Sequence, residues 1–376
     1  MSKTLQIIIG IIVVIIIISL IFVFSEKKKT ERETIKIGAI LALTGKYQKW
    51  GQHMREGIDL AVEEINENGG INGRKLIVLY EDSQTDAKLA LTTYRKLVDI
   101  DGIKTIIVAH SGPSKSIAPV AQEEKVSIFA IFAVAPGIPE TGDYIFRNDI
   151  NIDSEVEKLT SFVYGNDFKK VALVLINTKG GVMYGELFKE KFENLGGKIT
   201  IVEKYEKGTK DFRTLLTKVK ATNPEAIYGT FAPHEAALVL KQAKELGIEA
   251  QFLCDFHCEG SDLLEAGELA EGIIYSHVLD LTSRKKEVQN FLKAFREKYG
   301  KEPEYGSALA FDTVKILSLV MEKCKVNETE CIKSELLKIE NYPGVTGATT
   351  INENGDTSKE IVIKTIKNGQ FVPYEE

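Results

Sequence analysis

The segment from His110 to Ser114 carries the residues that come closest to a nucleophile or an anion site. Its sequence is HSGPS, and it follows an apolar run, Thr105–Ala109, with the composition of a buried strand. A hydrolase of the α/β type would need the pattern G-x-S-x-G at such a turn, and the segment lacks it. Free backbone N–H groups at a helix start, together with the hydroxyls of Ser111 and Ser114, would instead hold a carboxylate or a similar anion. Helix capping is the alternative role for both serines, and Ser111 is the better candidate for binding.

Four cysteines occur as two close pairs, Cys254 with Cys258 and Cys324 with Cys331. The first pair lies in the segment CDFHC, where two thiolates and the imidazole of His257 are ligand types for a metal ion. No second ligand pair stands elsewhere at metal-site spacing, so the sequence predicts no metal. Each pair could instead form a disulfide in an oxidising compartment, and four reduced thiols are the alternative.

Other motifs of enzyme chemistry do not occur in the sequence. The glycine cluster at 180–185, GGVMYG, has the wrong spacing for a dinucleotide-binding loop, and neither a Walker A motif nor H-E-x-x-H is present. The composition, 44% hydrophobic and 27% charged over 376 residues, is that of a globular protein. The net charge of −6 gives no basic surface for nucleic acid. Without a nucleophile, a base and a cofactor loop together, the chain is predicted to be no enzyme and to use no cofactor.

The amino-terminal run from Leu5 to Phe24 is 20 residues long and contains no charge. As a helix it would be about 30 Å long, the thickness of a bilayer core, so it is predicted to be a transmembrane anchor. A cleaved signal peptide is the alternative, although the exit FVFSE has no small-residue cleavage site. The lysines at 27–29 favour a cytoplasmic position for the long carboxyl-terminal part, which leaves the orientation open. Residues 25–34 are charged and predict an exposed tether.

From residue 35 onward, short β-rich runs alternate with helical stretches. Strands are predicted at 35–42, 75–80, 105–109, 127–130, 144–147, 170–176, 198–205, 226–230 and 251–253. Helices are predicted at 51–66, 86–98, 114–123, 156–164, 184–195, 212–220 and 234–246, and they dominate 286–339. Residues 349–351 and 361–367 are predicted to form a hairpin around 352–358. This alternation predicts parallel sheets covered on both faces, and its two successive rounds predict two lobes.

A series of segments resembles a known family in the same order along the chain. The series comprises IKIGAILALTG at 35–45, GIDLAVEEINENGGINGRKLIVLYEDSQTD at 57–86, the HSGPS segment, DYIFRN at 143–148, MYGE at 183–186, KDFRTLLTKVKATNPEAIYG at 210–229 and ALAFDTVKIL at 308–317. These segments resemble the branched-chain amino-acid-type substrate-binding proteins of ABC transporters, which are Leu/Ile/Val-binding-protein-like. The resemblance spans nearly all of residues 35–376.

The resemblance implies the α/β type I periplasmic-binding-protein fold. This fold has two Rossmann-like lobes with parallel-sheet cores, joined by a three-strand hinge, with the ligand held between the lobes. The chain would cross between lobes near residues 150, 279 and 345. The expected organisation is an anchor at 5–24, a tether at 25–34, lobe 1 at 35–150 plus 279–344, and lobe 2 at 151–278 plus 345–376.

The resemblance also implies a set of ligand-binding residues, carried over position by position. Ser111 stands where the family has its ligand-carboxylate serine, and Trp50 stands at an aromatic residue that covers the ligand. Tyr184 matches an aromatic position of the second lobe, and Phe231 matches a position that often holds tyrosine. The full predicted set is Trp50, Ser111, Ser114, Phe132, Val134, Tyr184, Phe231, Asp255 and Phe256.

Two members of this set depart from the family pattern. Val134 stands where the amino-acid binders carry a hydroxyl, and Phe256 stands near their carboxylate for the ligand's ammonium group. Asp255 is adjacent, but an α-amino acid would be a poor ligand if neither Asp255 nor Glu259 reached the cleft, because burying an unpaired ammonium is costly. The aromatic residues of the set fit an apolar or aromatic ligand, or a cation held over ring faces.

The function implied is that of an extracytoplasmic solute-binding protein. It would capture a small molecule, either an amino acid or a related small carboxylate or amide, between two closing lobes. It would then deliver that molecule to an ABC permease and its ATPase subunits. The binding domain would face outside, held at the cell membrane by a single-pass helix. The alternative is a membrane-anchored ligand-sensing receptor with the same lobes that acts through a partner.

Overall fold

The computed structural model describes residues 34–325 and 328–375. The predicted anchor from Leu5 to Phe24 and all but the last residue of the predicted tether lie outside the described residues. Within the two described ranges, no helix combines the length and the apolar character needed to span a bilayer.

Five parallel strands form the first sheet, in the spatial order β2-β1-β3-β4-β5. They are β1 (Ile35–Leu41), β2 (Leu76–Asp82), β3 (Thr105–Ala109), β4 (Ser127–Ile131) and β5 (Ile145–Asn148). The connecting helices are α1 (Gln48–Glu67), α2 (Ala87–Arg95) and α3 (Ser111–Glu123), and a π-helical turn (Lys96–Ile100) extends α2. Every residue of β3 and β4 is buried, as expected for strands that helices cover on both faces.

The second sheet has seven strands in the order β15-β14-β10-β9-β8-β6-β7. Its parallel strands are β6 (Lys170–Ile176), β7 (Lys198–Tyr205), β8 (Ala226–Thr230), β9 (Gln251–Cys254) and β10 (Ile274–His277), and β14 (Val362–Lys367) and β15 (Gln370–Pro373) add an antiparallel edge. Its helices are α4 (Ile152–Gly165), α5 (Lys179–Asn194), α6 (Arg213–Ala221), α7 (Pro233–Glu245) and the single turn α8 (Ser261–Leu264). Asn151 caps α4 and Thr178 caps α5, each by accepting a backbone N–H from the first turn at 3.1 Å.

The remaining helices are α9 (Lys286–Tyr299), α10 (Tyr305–Met321) and α11 (Thr329–Leu336). Helix α10 is the main neighbour of α1 and brings the carbonyl of Ser307 against Gly57. A Cβ atom added at Gly57 would lie 2.0 Å from the Ser307 carbonyl oxygen. Glycine is therefore what lets these two backbones approach so closely.

The carboxyl-terminal hairpin predicted from 349–351 and 361–367 is wrong. Residues 349–351 belong to a separate antiparallel sheet of β11 (Tyr342–Gly344), β12 (Gly347–Ile351) and β13 (Thr357–Lys359). Residues 362–367 form β14, which pairs with β10 of the second sheet, Thr365 opposite Ile274. Residues 349–351 therefore do form a hairpin, but with 357–359, whereas β14 pairs with the adjacent β15 and with β10, which is distant in the sequence.

A buried ion pair joins the third sheet to the end of β5. Arg147 Nε donates to Asp356 Oδ1 at 2.7 Å, and Nη2 donates to the second carboxylate oxygen. The remaining nitrogen, Nη1, donates to the carbonyls of Ala133 and Ala135 at 3.3 and 3.0 Å. Both charged side chains are almost completely buried, so the pair is a fixed junction between two parts of the chain.

The structure joins Cys254 to Cys258 and Cys324 to Cys331 as disulfides, with Cα–Cα distances of 6.3 and 5.7 Å. The thiols of the CDFHC segment are therefore not available as thiolate ligands. Across residues 34–325 and 328–375, no group of three or more His, Cys, Asp or Glu side chains is arranged to hold a metal ion.

Candidate functional site

The amino terminus of α3 lies at the carboxyl edge of the first sheet and begins at Ser111, three residues earlier than predicted. His110 precedes it in the left-handed region, with φ of 71°. The backbone N–H of Ala135 donates to Ser111 Oγ at 3.1 Å, which occupies an acceptor site of the hydroxyl and leaves its proton to donate elsewhere. Ser114 is fully buried, and its hydroxyl donates to the carbonyl of His110 at 2.9 Å, a contact within the first helical turn.

Asp149 holds the loop that carries Phe132 and Val134. Its carboxylate accepts the backbone N–H of Ala133 and, at 2.8 Å, the phenol of Tyr305. Phe132 itself has a positive φ of 50°, which turns the chain sharply at the end of β4. The loop and the start of α10 are thereby fixed to one buried carboxylate.

A continuous series of aromatic rings runs from the first-sheet side of the molecule to the second. The ring centroids of Trp50 and Phe132 are 5.4 Å apart, and Phe132 is 5.9 Å from Tyr305. Tyr305 is 5.8 Å from Phe256, and Phe256 is 6.3 Å from Tyr184. Four predicted site residues are therefore brought together, and Tyr305, which the sequence analysis missed, is the link between them.

The two sides also meet at the outer end of this series. Trp50 stacks on Tyr47 at 5.3 Å, and the ammonium group of Lys207, from the loop after β7, lies 5.6 Å from the Tyr47 ring centroid. Trp50 remains 38% exposed, so it lies at the solvent end, whereas Tyr184 is buried at the other. The series therefore leads from the surface to the interior of the second-sheet side.

Phe231 is not part of this aromatic series. It folds back over Gly229, where an added Cβ would lie 1.8 Å from the Phe231 ring, and packs 6.0 Å from Tyr205. It belongs to the core on the opposite face of the second sheet, away from Tyr184 and Phe256. Sequence position alone did not show that the Phe231 ring folds back over Gly229.

The carboxylates nearest to Phe256 in the sequence already have hydrogen-bond or ion-pair partners within the protein. Asp255 Oδ1 accepts the backbone N–H of His257 at 3.0 Å and lies 3.3 Å from Nδ1 of the same residue. Burial disfavours the charged imidazole, but Asp255 outweighs it and raises the pKa of His257. Glu259 accepts hydrogen bonds from the Lys364 ammonium and the Tyr275 hydroxyl, each at 2.6 Å, so the charge of this carboxylate is balanced by Lys364 within the second sheet.

Glu155, which the sequence analysis did not single out, is a third carboxylate close to this site. It lies in the first turn of α4, is fully buried, and accepts a hydrogen bond from Ser276. Burial, together with the charge of Asp255, raises the pKa of Glu155 well above its usual range. The only signal for it in the sequence is weak, an acidic residue in the first turn of a helix, which usually lies on the surface.

Comparison with known proteins provides independent information about this arrangement. The sequence profile of a family described as "Periplasmic binding protein" matches residues 34–370. A curated relative, the leucine-, isoleucine-, valine-, threonine-, and alanine-binding protein of Pseudomonas aeruginosa, is 27% identical over 352 residues, covering 91% of this chain and 90% of the relative.

Solved structures of similar proteins superpose over the same range. The leucine-binding protein LivK of Thermotoga maritima is 28% identical with a TM-score of 0.79, covering 91% of this chain and 98% of its own. The branched-chain amino acid transporter substrate-binding protein LivJ of Streptococcus pneumoniae, in complex with isoleucine, is 27% identical with a TM-score of 0.80, covering 90% and 98%.

Proposed function

The chain belongs to the periplasmic binding protein family, in its branched-chain amino acid type with the type I fold, and we propose that it captures an amino acid or a related small carboxylate for an ABC importer. Capture takes place between the two lobes, and an ABC permease with its ATPase subunits receives the solute from the closed form. The proposal includes an outward-facing binding domain, held at the cell membrane by the run from Leu5 to Phe24.

The observation that carries this proposal is the aromatic series shared by both sides of the molecule. Trp50, Phe132 and Tyr305 come from elements around the first sheet, and Phe256 and Tyr184 come from elements of the second. A solute that touches rings on both sides stabilises the closed arrangement relative to an open one, because only the closed arrangement makes both sets of contacts. Closure is then the signal that a transport partner reads.

The first-sheet side offers the anion-binding part of the site. The Ser111 hydroxyl has a proton to donate, and it lies at the start of a 13-residue helix whose terminal N–H groups favour negative charge. The solute carboxylate is accordingly proposed to bind at Ser111, with the hydrocarbon part of the solute against Trp50 and Phe132. Val134 lies on the same loop and adds an apolar contact.

The contacts also bear on how the chain divides between lobes. Lobe 1 is proposed to comprise 35–150 plus 279–360, and lobe 2 to comprise 151–278 plus the carboxyl-terminal segment from residue 361 onward. Residues 345–359 pair within the third sheet and are attached to β5 through Arg147 and Asp356. For this reason we place the third crossing at 360–361, just before β14, rather than near 345.

Replacing Ser111 with alanine is expected to weaken the binding of a solute carboxylate by about 1–3 kcal/mol, the cost of losing a hydrogen bond to a charged group. The full-length chain would first be screened by thermal shift against the twenty amino acids and small carboxylic acids. The affinity of the best solute would then be measured by calorimetry for the wild type and for Ser111→Ala. Ser116→Ala, which removes a half-buried hydroxyl that lies on the same helix and bonds only to backbone carbonyls, is the matched control. Unchanged affinity in Ser111→Ala would remove this serine from the site, and a screen without any stabilising solute would contradict solute capture itself.

A further inference from the structure

The disulfide between Cys254 and Cys258 closes the loop that carries one residue of the aromatic series. Cys254 is the last residue of β9, where it pairs with Gly229 of β8 on one side and with Tyr275 of β10 on the other. Cys258 ends a 3₁₀ turn, Phe256–Cys258, and both cysteines are fully buried. The disulfide therefore ties a short loop directly to the central strand of the second sheet.

The two cysteines and the aromatic ring between them belong to different cores. Cys254 and Cys258 lie in the core on the far face of the second sheet, together with Phe231. Phe256, two residues after Cys254, lies in the core that contains Tyr184. The disulfide thus fixes the loop from one face of the sheet, while the ring of Phe256 packs on the other.

Phe256 is where the second-sheet side meets the rings of the first-sheet side. Its ring centroid is 5.8 Å from that of Tyr305 and 6.3 Å from that of Tyr184. Phe256 also stacks on His257 at 4.0 Å, and the His257 imidazole lies 5.6 Å from the Tyr184 ring. A displacement of this loop would therefore move rings at the contact between the two sides.

The hydrogen bonds that shape the turn are local. The Asp255 carboxylate accepts the backbone N–H of His257 at 3.0 Å, and the backbone N–H of Cys258 donates to the Asp255 carbonyl at 3.2 Å. Both bonds stay inside the turn, so they set its shape without attaching it to the sheet. Attachment to the sheet is provided by the disulfide at Cys258 and by the ion pair of Glu259 with Lys364.

From this placement we propose that the Cys254–Cys258 disulfide is a positioning pair for the solute site, because it holds Phe256 and His257 where a solute between the lobes contacts them. The inference rests on the proposed function and deepens it, since it names the covalent link that fixes one wall of the site. A loop that is already held in its bound arrangement loses little conformational freedom on binding, which raises affinity. Without the link, the solute must order the loop, and affinity falls.

The second disulfide provides a matched control of the same kind. Cys324 and Cys331 are seven residues apart in the sequence, against four for the first pair. Cys324 lies beside Ile35 and Thr105, the first residues of β1 and β3, and so at the amino edge of the first sheet, whereas Ser111 lies at the carboxyl edge. Because both loops are short, the loss of either disulfide is expected to lower thermal stability to a similar extent.

The test compares full-length variants that lack one disulfide each, Cys254→Ala with Cys258→Ala and Cys324→Ala with Cys331→Ala. Calorimetry with L-leucine measures affinity, and thermal unfolding measures stability. We expect the first variant to bind L-leucine about 5- to 50-fold more weakly, as for two side chains that must be ordered on binding. The second variant is expected to keep the wild-type affinity, although its unfolding temperature falls as well. If the wild type prefers another solute of the screen, that solute replaces L-leucine in every titration.

A conservative variant separates positioning from packing. Cys254→Val with Cys258→Ala restores most of the apolar volume of the pair without the covalent link, and it also serves where the double alanine variant does not fold. It is expected to bind as weakly as the double alanine variant. Phe256→Ala is then introduced into the wild type and into this variant. If the disulfide positions the Phe256 ring, Phe256→Ala costs less affinity where the link is missing, so the two effects are not additive.

Three results would overturn the inference and leave solute capture standing. One is wild-type affinity in the variant Cys254→Val with Cys258→Ala. Another is an equal loss of affinity in both disulfide variants, which would follow from lower stability alone. The third is strict additivity with Phe256→Ala. Failure of the proposed function looks different, since no solute of the wider screen would then stabilise the wild-type chain.

Discussion

Replacing Asp356 with alanine is expected to lower the free energy of unfolding by about 3–5 kcal/mol, the range measured when one partner of a buried ion pair is removed. Asp356 receives both arms of the Arg147 guanidinium, and Asn151 Nδ2 donates to it at 3.2 Å. Without the carboxylate, the buried guanidinium keeps only two backbone carbonyls as hydrogen-bond partners among the described residues. The measurement is chemical denaturation followed by far-ultraviolet circular dichroism.

Two further variants test whether the loss of stability comes from breaking the buried Arg147–Asp356 pair or merely from removing a charge. Replacing both partners, Arg147→Met with Asp356→Leu, is expected to recover most of the lost stability, because no uncompensated charge is then buried. Glu302→Ala breaks the exposed Arg296–Glu302 pair and is expected to cost less than about 1 kcal/mol. A similarly small loss in Asp356→Ala would contradict the picture of a fixed junction between β5 and the third sheet.

Replacing Gly57 with alanine is expected to destabilise the protein by about 3 kcal/mol, at the upper end of the range for overpacked sites. The added methyl group would lie 2.0 Å from the carbonyl oxygen of Ser307 and 2.8 Å from its carbonyl carbon. Both obstacles are backbone atoms, which cannot turn aside as a side chain can, so α1 and α10 must separate. Denaturation by the same method measures the loss.

Gly165→Ala is the matched control for this substitution. Gly165 ends α4, and a Cβ atom there meets nothing within 4 Å. Alanine at such a position is expected to be neutral or to stabilise by about 0.4–1 kcal/mol, since it lowers the entropy of the unfolded chain. If Gly57→Ala behaved like Gly165→Ala, the close approach of α1 and α10 would be wrong.

The parallel strands of both sheets were predictable because their apolar runs are short and separated by clear helical periods. Strands β3, β6, β7 and β8 begin and end where the sequence predicts. The carboxyl-terminal segments were not predictable in the same way, since β13, the partner of β12, has the polar sequence TSK and β14 pairs with the distant β10. Helix α3 begins earlier than predicted, directly after His110, whose φ is positive. A positive φ is uncommon for a residue other than glycine and could not be predicted from the residue type.

For the candidate site, the resemblance named positions, and the structure shows which of those positions lie together. Trp50, Phe132, Tyr184 and Phe256 lie in one aromatic series linked by Tyr305, whereas Phe231 packs into another core. Glu155 was not visible in the sequence as a neighbour of the site, because α4 and β10, which its hydrogen bond with Ser276 joins, lie far apart along the chain.

Trp50 is the single tryptophan of the chain and stands half-uncovered where the aromatic series reaches solvent. An indole in that position acts as a native fluorophore whose emission depends on how much water touches it. A ligand that excludes water from Trp50 is expected to change the wavelength and the intensity of its emission, and no other tryptophan contributes to the signal. The intrinsic fluorescence of Trp50 therefore reports ligand binding without an added label or an introduced tryptophan.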